Sequence, residues 1–384
     1  KKIFNFLLLL GFLSGCDYLD IVPDNLPTLE MAFNNKSSAE RFLFTCYSFV
    51  PEHGKIGTDP GMDVGDEVWY YSDNSADYSN KTTFWIAKGM QNSNEPLVDY
   101  WNGTQWGKAM FVGIRDCNVF IENIEKVPDL SAYDKETWKA EAKVLKAFYH
   151  FWMMRMYGPI PIIKENIPVS AGEDEVRVVR DKIDDIVTYI VSLIDESVEY
   201  LPLNIQNEAA EMGRITRPAA KAIKAKILAF AASPFFNGNL DYANFKNAEG
   251  EPFFNQVYDN EKWTKAADAC LEAIQCAEEA GHGLYEFVNM SSTQLSDETI
   301  LSLSNRCKVT ERWNKELVWG CGQSGIRDLQ VLCQPWLESN YSSDDRYHNA
   351  RNGTFAPTLA VAEVGWTIPG KKDWSRFLKA LDHF

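Results

Sequence analysis

The sequence predicts an all-α, mainly helical fold, in which degenerate tetratricopeptide-like helix pairs form a scaffold with long irregular loops. Two observations support this fold class. Apolar residues recur at helical spacing through the middle of the chain, and the apolar stretches end at Gly or Pro residues. Residues 51–94 and 282–384 lack this spacing and are rich in Gly, Ser, Asn, Asp and aromatic residues. We expect these loops to carry the function.

The helical pattern defines six segments. They cover approximately residues 38–49, 95–125, 134–158, 183–202, 217–233 and 263–280. The third is predicted to begin at an Asp134 N-cap and to end at Gly158, and the fifth to begin after Thr216 with Pro218 in its first turn. One face of the third helix is predicted to carry Trp138, Ala142, Leu145, Tyr149, Trp152 and Met156.

Two of these helices resemble each other. Residues 140–147 and 219–225 place Ala and Lys at matching intervals, and each helix is followed by a long apolar partner helix. Small residues allow paired helices to cross closely, as in tetratricopeptide repeats. The two copies lie much farther apart than the ideal period of about 34 residues, so we interpret them as degenerate repeats with insertions.

The composition is that of a folded, acidic protein. The 384 residues are 45% hydrophobic, and 38 Lys and Arg against 54 Asp and Glu give a formal net charge of −16. Because the acidic residues are spread along the chain, attraction to phosphate backbones is unfavourable and we expect no nucleic-acid partner. Aromatic residues make up 13% of the chain, which suggests that some rings lie on a surface.

The N-terminus has the pattern of a lipoprotein signal peptide. Two Lys residues precede an apolar run over residues 3–13 that is too short to span a bilayer. Small residues at positions 14 and 15 then precede Cys16, as in a bacterial lipobox. We therefore predict a signal peptide over residues 1–15, lipidation at Cys16, and a mature helical domain over residues 16–384. An ordinary signal peptide with a chance Cys is the alternative.

Motifs for catalysis, metals and cofactors lack the context that they need. Residues 320–325 match G-x-G-x-x-G, but the chain then runs into Pro335 and a polar stretch rather than into a second buried strand. The five His residues are solitary, and the other seven Cys residues form no C-x-x-C pair. The adjacent acids at positions 66–67 and 344–345 do not oppose each other as a glycosidase requires. We predict a protein that is not an enzyme and has no cofactor or metal site, with loosely bound calcium left open.

Aromatic residues within the loops suggest a carbohydrate site. Sugars pack their C–H faces on flat rings, while carboxylates and amides bond to their hydroxyl groups. One cluster lies between positions 69 and 85, and a thinner one near position 336. The alternative is that several of these rings cap the helical core. The candidate ligand-binding residues are Trp69, Tyr70, Tyr71, Asp73, Asn74, Tyr78, Trp85, Trp336 and Tyr341.

Several segments, in the same order, resemble the SusD/RagB family of Bacteroidetes outer-membrane lipoproteins. The matching blocks are residues 16–23 (CDYLDIVP), 114–124 (IRDCNVFIENI), 140–161 with its YGPIP ending, 213–217 (GRITR) and 229–238 (AFAASPFFNG). The resemblance covers most of residues 16 to about 320. Members usually continue well beyond this length, so we expect either a fragment of a longer chain or a variant with a shortened C-terminal region.

The resemblance implies a cell-surface lipoprotein, anchored in the outer membrane, that binds glycans or oligosaccharides. It also implies delivery of the ligand to a SusC-like TonB-dependent transporter, on which the protein docks as a lid. The family motifs mark the scaffold and transfer no binding residue to this chain. The alternative function is a structural or assembly subunit of an outer-membrane nutrient-uptake complex that binds no glycan, and a surface glycosidase is a third.

Overall fold

The computed structural model describes residues 29–52, 59–65, 67–70, 82–321 and 355–358, and helices dominate this part of the chain. The predicted all-α fold is confirmed. The helices are α1 (Leu29–Ala32), α2 (Lys36–Tyr47), α3 (Pro60–Asp63), α4 (Thr82–Ala87), α5 (Met110–Asn123), α6 (Ala132–Tyr157), α7 (Glu173–Val176), α8 (Ile183–Asp195), α9 (Glu208–Glu211), α10 (Arg217–Ala232), α11 (Glu261–Glu279) and α12 (Asp297–Thr310). Short antiparallel strands, β1 (Val68–Tyr70) and β2 (Phe355–Pro357), pair with each other.

The ends of α6 are set by a side-chain cap and a glycine. The predicted N-cap, Asp134, is wrong by one turn, because the Ser131 side chain accepts a hydrogen bond of 3.0 Å from the Asp134 backbone N–H. Asp134 instead lies in the first turn, where its negative charge favours the helix N-terminus. At the other end Gly158 has φ 69° and its N–H donates to the Met154 carbonyl, so the predicted stop is confirmed.

Two helix predictions need correction. The helix predicted from position 95 begins at Met110, because the preceding residues form a tight loop around Asp99. The region after position 282, predicted to lack helices, contains α12, whose Ser296 N-cap accepts from the Thr299 N–H. Ser304 is the buried residue of α12, and Leu301 and Val309 are exposed, so its apolar face is too weak to signal a helix in the sequence.

The scaffold is a series of packed helices. The long helix α6 lies against α5 and α8, and α10 lies against α8 and α11. The apolar face predicted for α6 is buried from Trp138 to Trp152, whereas Met156 is only partly buried. Between α10 and α11 the contact is formed by Ala225, Ala269 and Ala273, and their small side chains let the two helices approach closely. Within the described residues, no helix combines the length and hydrophobicity needed to cross a bilayer.

A buried ion pair joins three parts of this scaffold. The Arg214 guanidinium donates two hydrogen bonds, of 2.6 and 3.1 Å, to the two carboxylate oxygens of Glu141 on α6. The Tyr47 hydroxyl at the end of α2 donates to Glu141 Oε2 at 2.6 Å and accepts from the Ile215 N–H at 2.8 Å. Burial lowers the pKa of Arg214, but Glu141, Tyr47 and Glu211 together raise it by more, so the guanidinium stays charged.

A buried histidine ties the centre of α6 to the segment that follows it. The His150 Nε2 accepts from the Ile163 N–H at 3.2 Å, so the ring proton is on Nδ1, which donates to the Lys146 carbonyl at 2.8 Å. Nearby, the Lys146 ammonium donates to the Lys164 carbonyl at 2.6 Å. Burial lowers the pKa of His150 to about 4, and the charge of Lys146 contributes in the same direction.

We expect Arg214→Met to destabilise the protein by about 3 to 5 kcal/mol, because it leaves the Glu141 carboxylate buried without its counter-charge. Urea unfolding followed by circular dichroism measures this loss. The control is Arg177→Met, which removes an exposed ion pair to Glu173 and should cost less than about 1 kcal/mol. Equal losses in the two variants would contradict the structural role of Arg214.

We expect His150 to make the protein less stable in mild acid. Its folded pKa of about 4 lies below the ordinary value of 6.5, so the unfolded chain binds the proton more readily. The contribution of neutral His150 to the free energy of unfolding is complete above pH 6.5 and declines as the pH falls toward 4. About 2 kcal/mol of it is lost between pH 7 and pH 5. His150→Gln should reduce the pH difference in unfolding free energy by this amount. His282→Gln, at a partly exposed position, should leave it unchanged.

Candidate functional site

The short sheet positions the first predicted aromatic residues. Trp69 pairs with Ala356 and Tyr70 with Phe355, and the Thr358 N–H donates to the Glu67 carbonyl at 2.9 Å. The prediction that Trp69 and Tyr70 belong to an irregular loop is therefore wrong, since both lie on β1. A three-residue strand has too little alternation to be distinguished from a loop, and its partner lies almost 300 positions away in the sequence.

The indole of Trp69 rests on a buried ring. Its centroid lies 5.3 Å from that of Phe84 on α4, with an angle of 63° between the rings. Phe84 is 3% exposed, whereas Trp69 is 41% exposed. The contact with Phe84 therefore positions the indole, and much of the Trp69 surface remains available to a ligand.

A second ring and a cation lie beside this pair. Trp85, which is partly buried, has its ring 5.8 Å from that of Phe84. The Lys88 ammonium lies 4.3 Å from the Phe84 centroid and 5.1 Å from that of Trp85. We call Trp69, Phe84, Trp85 and Lys88 the ring cluster. It combines flat apolar surface with a hydrogen-bond donor, which suits a ligand that has both C–H faces and hydroxyl groups.

The remaining predicted site residues stay predictions. The structure brings together Trp69 and Trp85, and for Tyr70 it describes the backbone alone. The lipidation site and six of the ligand-binding candidates lie outside the described residues: Cys16, Tyr71, Asp73, Asn74, Tyr78, Trp336 and Tyr341. In the part of the chain that is described, no group of three or more His, Cys, Asp or Glu side chains is arranged to hold a metal ion.

A tight loop over residues 99–107 was missed by sequence reasoning. The Asp99 carboxylate accepts hydrogen bonds from the Trp101 N–H at 2.9 Å, from the N–H and side-chain amide of Asn102, and from the Thr104 hydroxyl at 2.9 Å. Burial raises the pKa of Asp99, but these hydrogen bonds outweigh it and lower the pKa overall. The loop is thus held by an ionised carboxylate.

This loop presents an exposed tryptophan from a strained backbone. Trp106 is 62% exposed and has φ 68°, a region that residues with a side chain seldom adopt, and Gln105 has φ 49°. Gly107 follows, where a Cβ would lie 1.9 Å from the Asp99 carbonyl oxygen. Strain of this kind often accompanies function. Aromatic and turn-forming residues between positions 100 and 107 were a signal, but the helix predicted from position 95 obscured it.

Comparisons with known proteins support one family. The family model SusD-like_3, described as "Starch-binding associating with outer membrane", matches residues 17–228, which is more than half of the chain. Among solved structures, BT4246 is similar with 28% identity and a TM-score of 0.68, over 85% of this chain and 56% of that one. The comparison with curated proteins finds no match.

Two more distant structures share the fold. A SusD-like protein (BF3747) from Bacteroides fragilis is 15% identical with a TM-score of 0.58, over 85% of this chain and 52% of its own. Surface glycan-binding protein A from Bacteroides uniformis is 15% identical with a TM-score of 0.55, over 85% and 61%. The chain thus spans little more than half the length of these relatives. From the match over residues 17–228 and the shared helical scaffold, the chain belongs to the SusD-like family of starch-binding proteins that associate with the outer membrane.

Proposed function

We propose that this protein is a cell-surface lipoprotein that binds glycans or oligosaccharides without cleaving them and delivers them to a SusC-like TonB-dependent transporter. Family membership supports carbohydrate as the ligand. One solved relative of the same fold is named as a surface glycan-binding protein. Lipidation at Cys16 would anchor the protein in the outer membrane, where several acyl chains on one residue give firm attachment.

The observation that carries the proposal is the ring cluster. An exposed indole that contacts a buried ring has a fixed orientation. The protein therefore loses little conformational entropy when a sugar stacks on this indole. The Trp69 ring meets this condition through Phe84, and the Lys88 ammonium lies over the same Phe84 ring. This arrangement supplies apolar contact and hydrogen bonding, which recognition of a neutral or acidic glycan requires.

The alternative is a structural or assembly subunit that binds a protein partner and no glycan. One observation favours it: the outward side of α11 exposes Trp263, Leu271 and Ile274, at 43%, 54% and 55%. Exposed apolar groups on one helix are typical of protein contacts. The two functions differ in their response to loss of Trp69, which should affect glycan binding and leave assembly unchanged.

We expect Trp69→Ala to weaken glycan binding by about 1 to 3 kcal/mol, because stacking on an aromatic ring contributes this much for the flat bases of nucleic acids. Affinity electrophoresis against a polysaccharide panel identifies the ligand, and calorimetry measures the change. The fold should persist, since Trp69 is 41% exposed and does not belong to the buried core cluster.

The matched control is Tyr133→Ala, because Tyr133 is 68% exposed at the start of α6 and belongs to no ring cluster among the described residues. The glycan affinity of the Tyr133→Ala variant should equal that of the unmodified protein. If the Trp69 variant also binds with unchanged affinity, the ring cluster is not the binding site. If the unmodified protein binds no polysaccharide, the assembly role is favoured.

We expect Trp106→Gly to separate stability from binding. Glycine adopts φ 68° without strain, so the substitution should leave the free energy of unfolding unchanged or raise it by up to about 1 kcal/mol. If the exposed ring serves the ligand, glycan affinity should fall at the same time. Urea unfolding and calorimetry on one preparation test both effects. A fall in stability with unchanged affinity would indicate that the ring has a structural role instead.

A further inference from the structure

A second group of rings lies where α10 ends. After Ser233 the chain turns away from the helix and returns through residues 253–259, and seven aromatic side chains fall within this stretch. Among them Phe235 and Tyr242 remain 46% and 39% exposed, whereas Phe236 and Phe254 are 1% and 2% exposed. Their ring contacts do not involve the ring cluster of Trp69 within the described residues.

Three of these rings form a nearly parallel stack that runs from the core to the surface. The Phe236 and Phe254 centroids are 6.0 Å apart with an angle of 15°, and those of Phe254 and Tyr242 are 4.8 Å apart with an angle of 22°. The buried Phe254 stacks on one face of the Tyr242 ring, and Tyr242 is still 39% exposed. The outermost ring of the stack is therefore a flat platform.

The Phe235 ring lies beside this platform and is steeply inclined to it. Its ring makes angles of 66° with Tyr242 and 87° with Phe254, at centroid distances of 5.6 and 5.8 Å. We call Phe235, Tyr242 and Phe254 the aromatic corner. Its two exposed rings, Phe235 and Tyr242, are inclined by 66°, so a single flat ligand ring can contact one by its face and the other by its edge.

Hydrogen bonds to the backbone fix the position of the aromatic corner. The Asn237 side chain donates to the Asp259 carbonyl and accepts from its N–H, both at 2.8 Å, and the Gly238 and Asn239 N–H groups donate to the Asn255 carbonyl. Gly158 also contributes, because a Cβ there would lie 3.2 Å from the Phe254 ring. These contacts hold the rings in place before any ligand arrives.

The surroundings of the platform are polar. The Asp241 and Asn244 side chains, on either side of Tyr242 in the sequence, are exposed. A carboxylate and an amide can accept and donate hydrogen bonds to hydroxyl groups. Exposed rings with polar residues close by in the chain match a pyranose, which has an apolar C–H face and a rim of hydroxyl groups.

We propose that the aromatic corner is a second carbohydrate subsite, which takes one pyranose ring of a neutral glycan by its C–H face on Tyr242. The inference rests on the proposed glycan-binding function. It adds to that function a contact separate from Trp69, so that one extended glycan, or two chains, can engage the protein at two points. Two weak contacts on one chain give a much higher combined affinity than either alone.

Hydroxyl-radical footprinting of the full chain tests the proposal directly. The probes are maltohexaose, cellohexaose, laminarihexaose, xylohexaose and mannohexaose at millimolar concentration, and mass spectrometry measures oxidation of Phe235 and Tyr242. At least one probe should lower oxidation of both residues while Tyr133 is unaffected. If every probe leaves their oxidation unchanged, the proposal is overturned.

Substitutions separate a ring contact from a structural effect. With the protecting glycan, Tyr242→Ala should weaken binding about tenfold, the size of one stacking contact. Tyr242→Phe keeps the ring and should retain most of the affinity, and Tyr133→Ala should be neutral. Loss of affinity with Tyr242→Phe equal to that with Tyr242→Ala would contradict stacking on the platform.

The same variants distinguish this proposal from the glycan-binding function itself. If Trp69→Ala lowers affinity and Tyr242→Ala does not, the protein binds glycans but the aromatic corner is not a subsite. If both lower it, the two contacts are confirmed as separate parts of one binding surface. If no probe binds and no residue is protected, both proposals fail, and the exposed rings are then a surface for a protein partner.

Discussion

The pairing of Arg214 with Glu141 is the constraint on which the scaffold depends. A buried carboxylate on a central helix is strongly destabilising unless a counter-charge reaches it, and Arg214 reaches it from the turn before α10. The Tyr47 hydroxyl, bonded to the same carboxylate, brings the end of α2 to the same point. Residues far apart in the chain therefore share one polar contact inside an apolar core, and only one mutual arrangement of these helices satisfies all of its hydrogen bonds.

The same scaffold places rings at its surface by supporting them from below. Trp69 leans on the buried Phe84, and Tyr242 on the buried Phe254. A partly exposed ring that is held in place by a buried ring has little conformational entropy left to lose when a ligand binds. Packing on the core and binding a ligand are therefore compatible roles for neighbouring aromatic residues, since the buried ring fixes the orientation of the exposed one.

Local patterns accounted for most of the helices and for little of the candidate site. The stop at Gly158 and the start of α10 after Thr216 depend on neighbours within one turn, so the sequence predicted them. The cap at Ser131 was displaced by one turn because Asp134, in the first turn, is also a good capping residue. Trp106 was missed because a helix was extended across its loop, which is held by the hydrogen bonds of the Asp99 carboxylate and by backbone hydrogen bonds.

The sequence by itself determined the helical class, the paired helices and the resemblance to the SusD-like family, because helical spacing, caps and family motifs are properties of nearby residues. Only the tertiary structure decided which aromatic rings are supported and exposed. Trp69 and Phe84 are 15 positions apart, Tyr242 and Phe254 are 12, and β1 meets β2 across most of the chain. Such contacts depend on how the chain closes its loops, and composition alone cannot distinguish a ring that fills the core from the one that lies upon it.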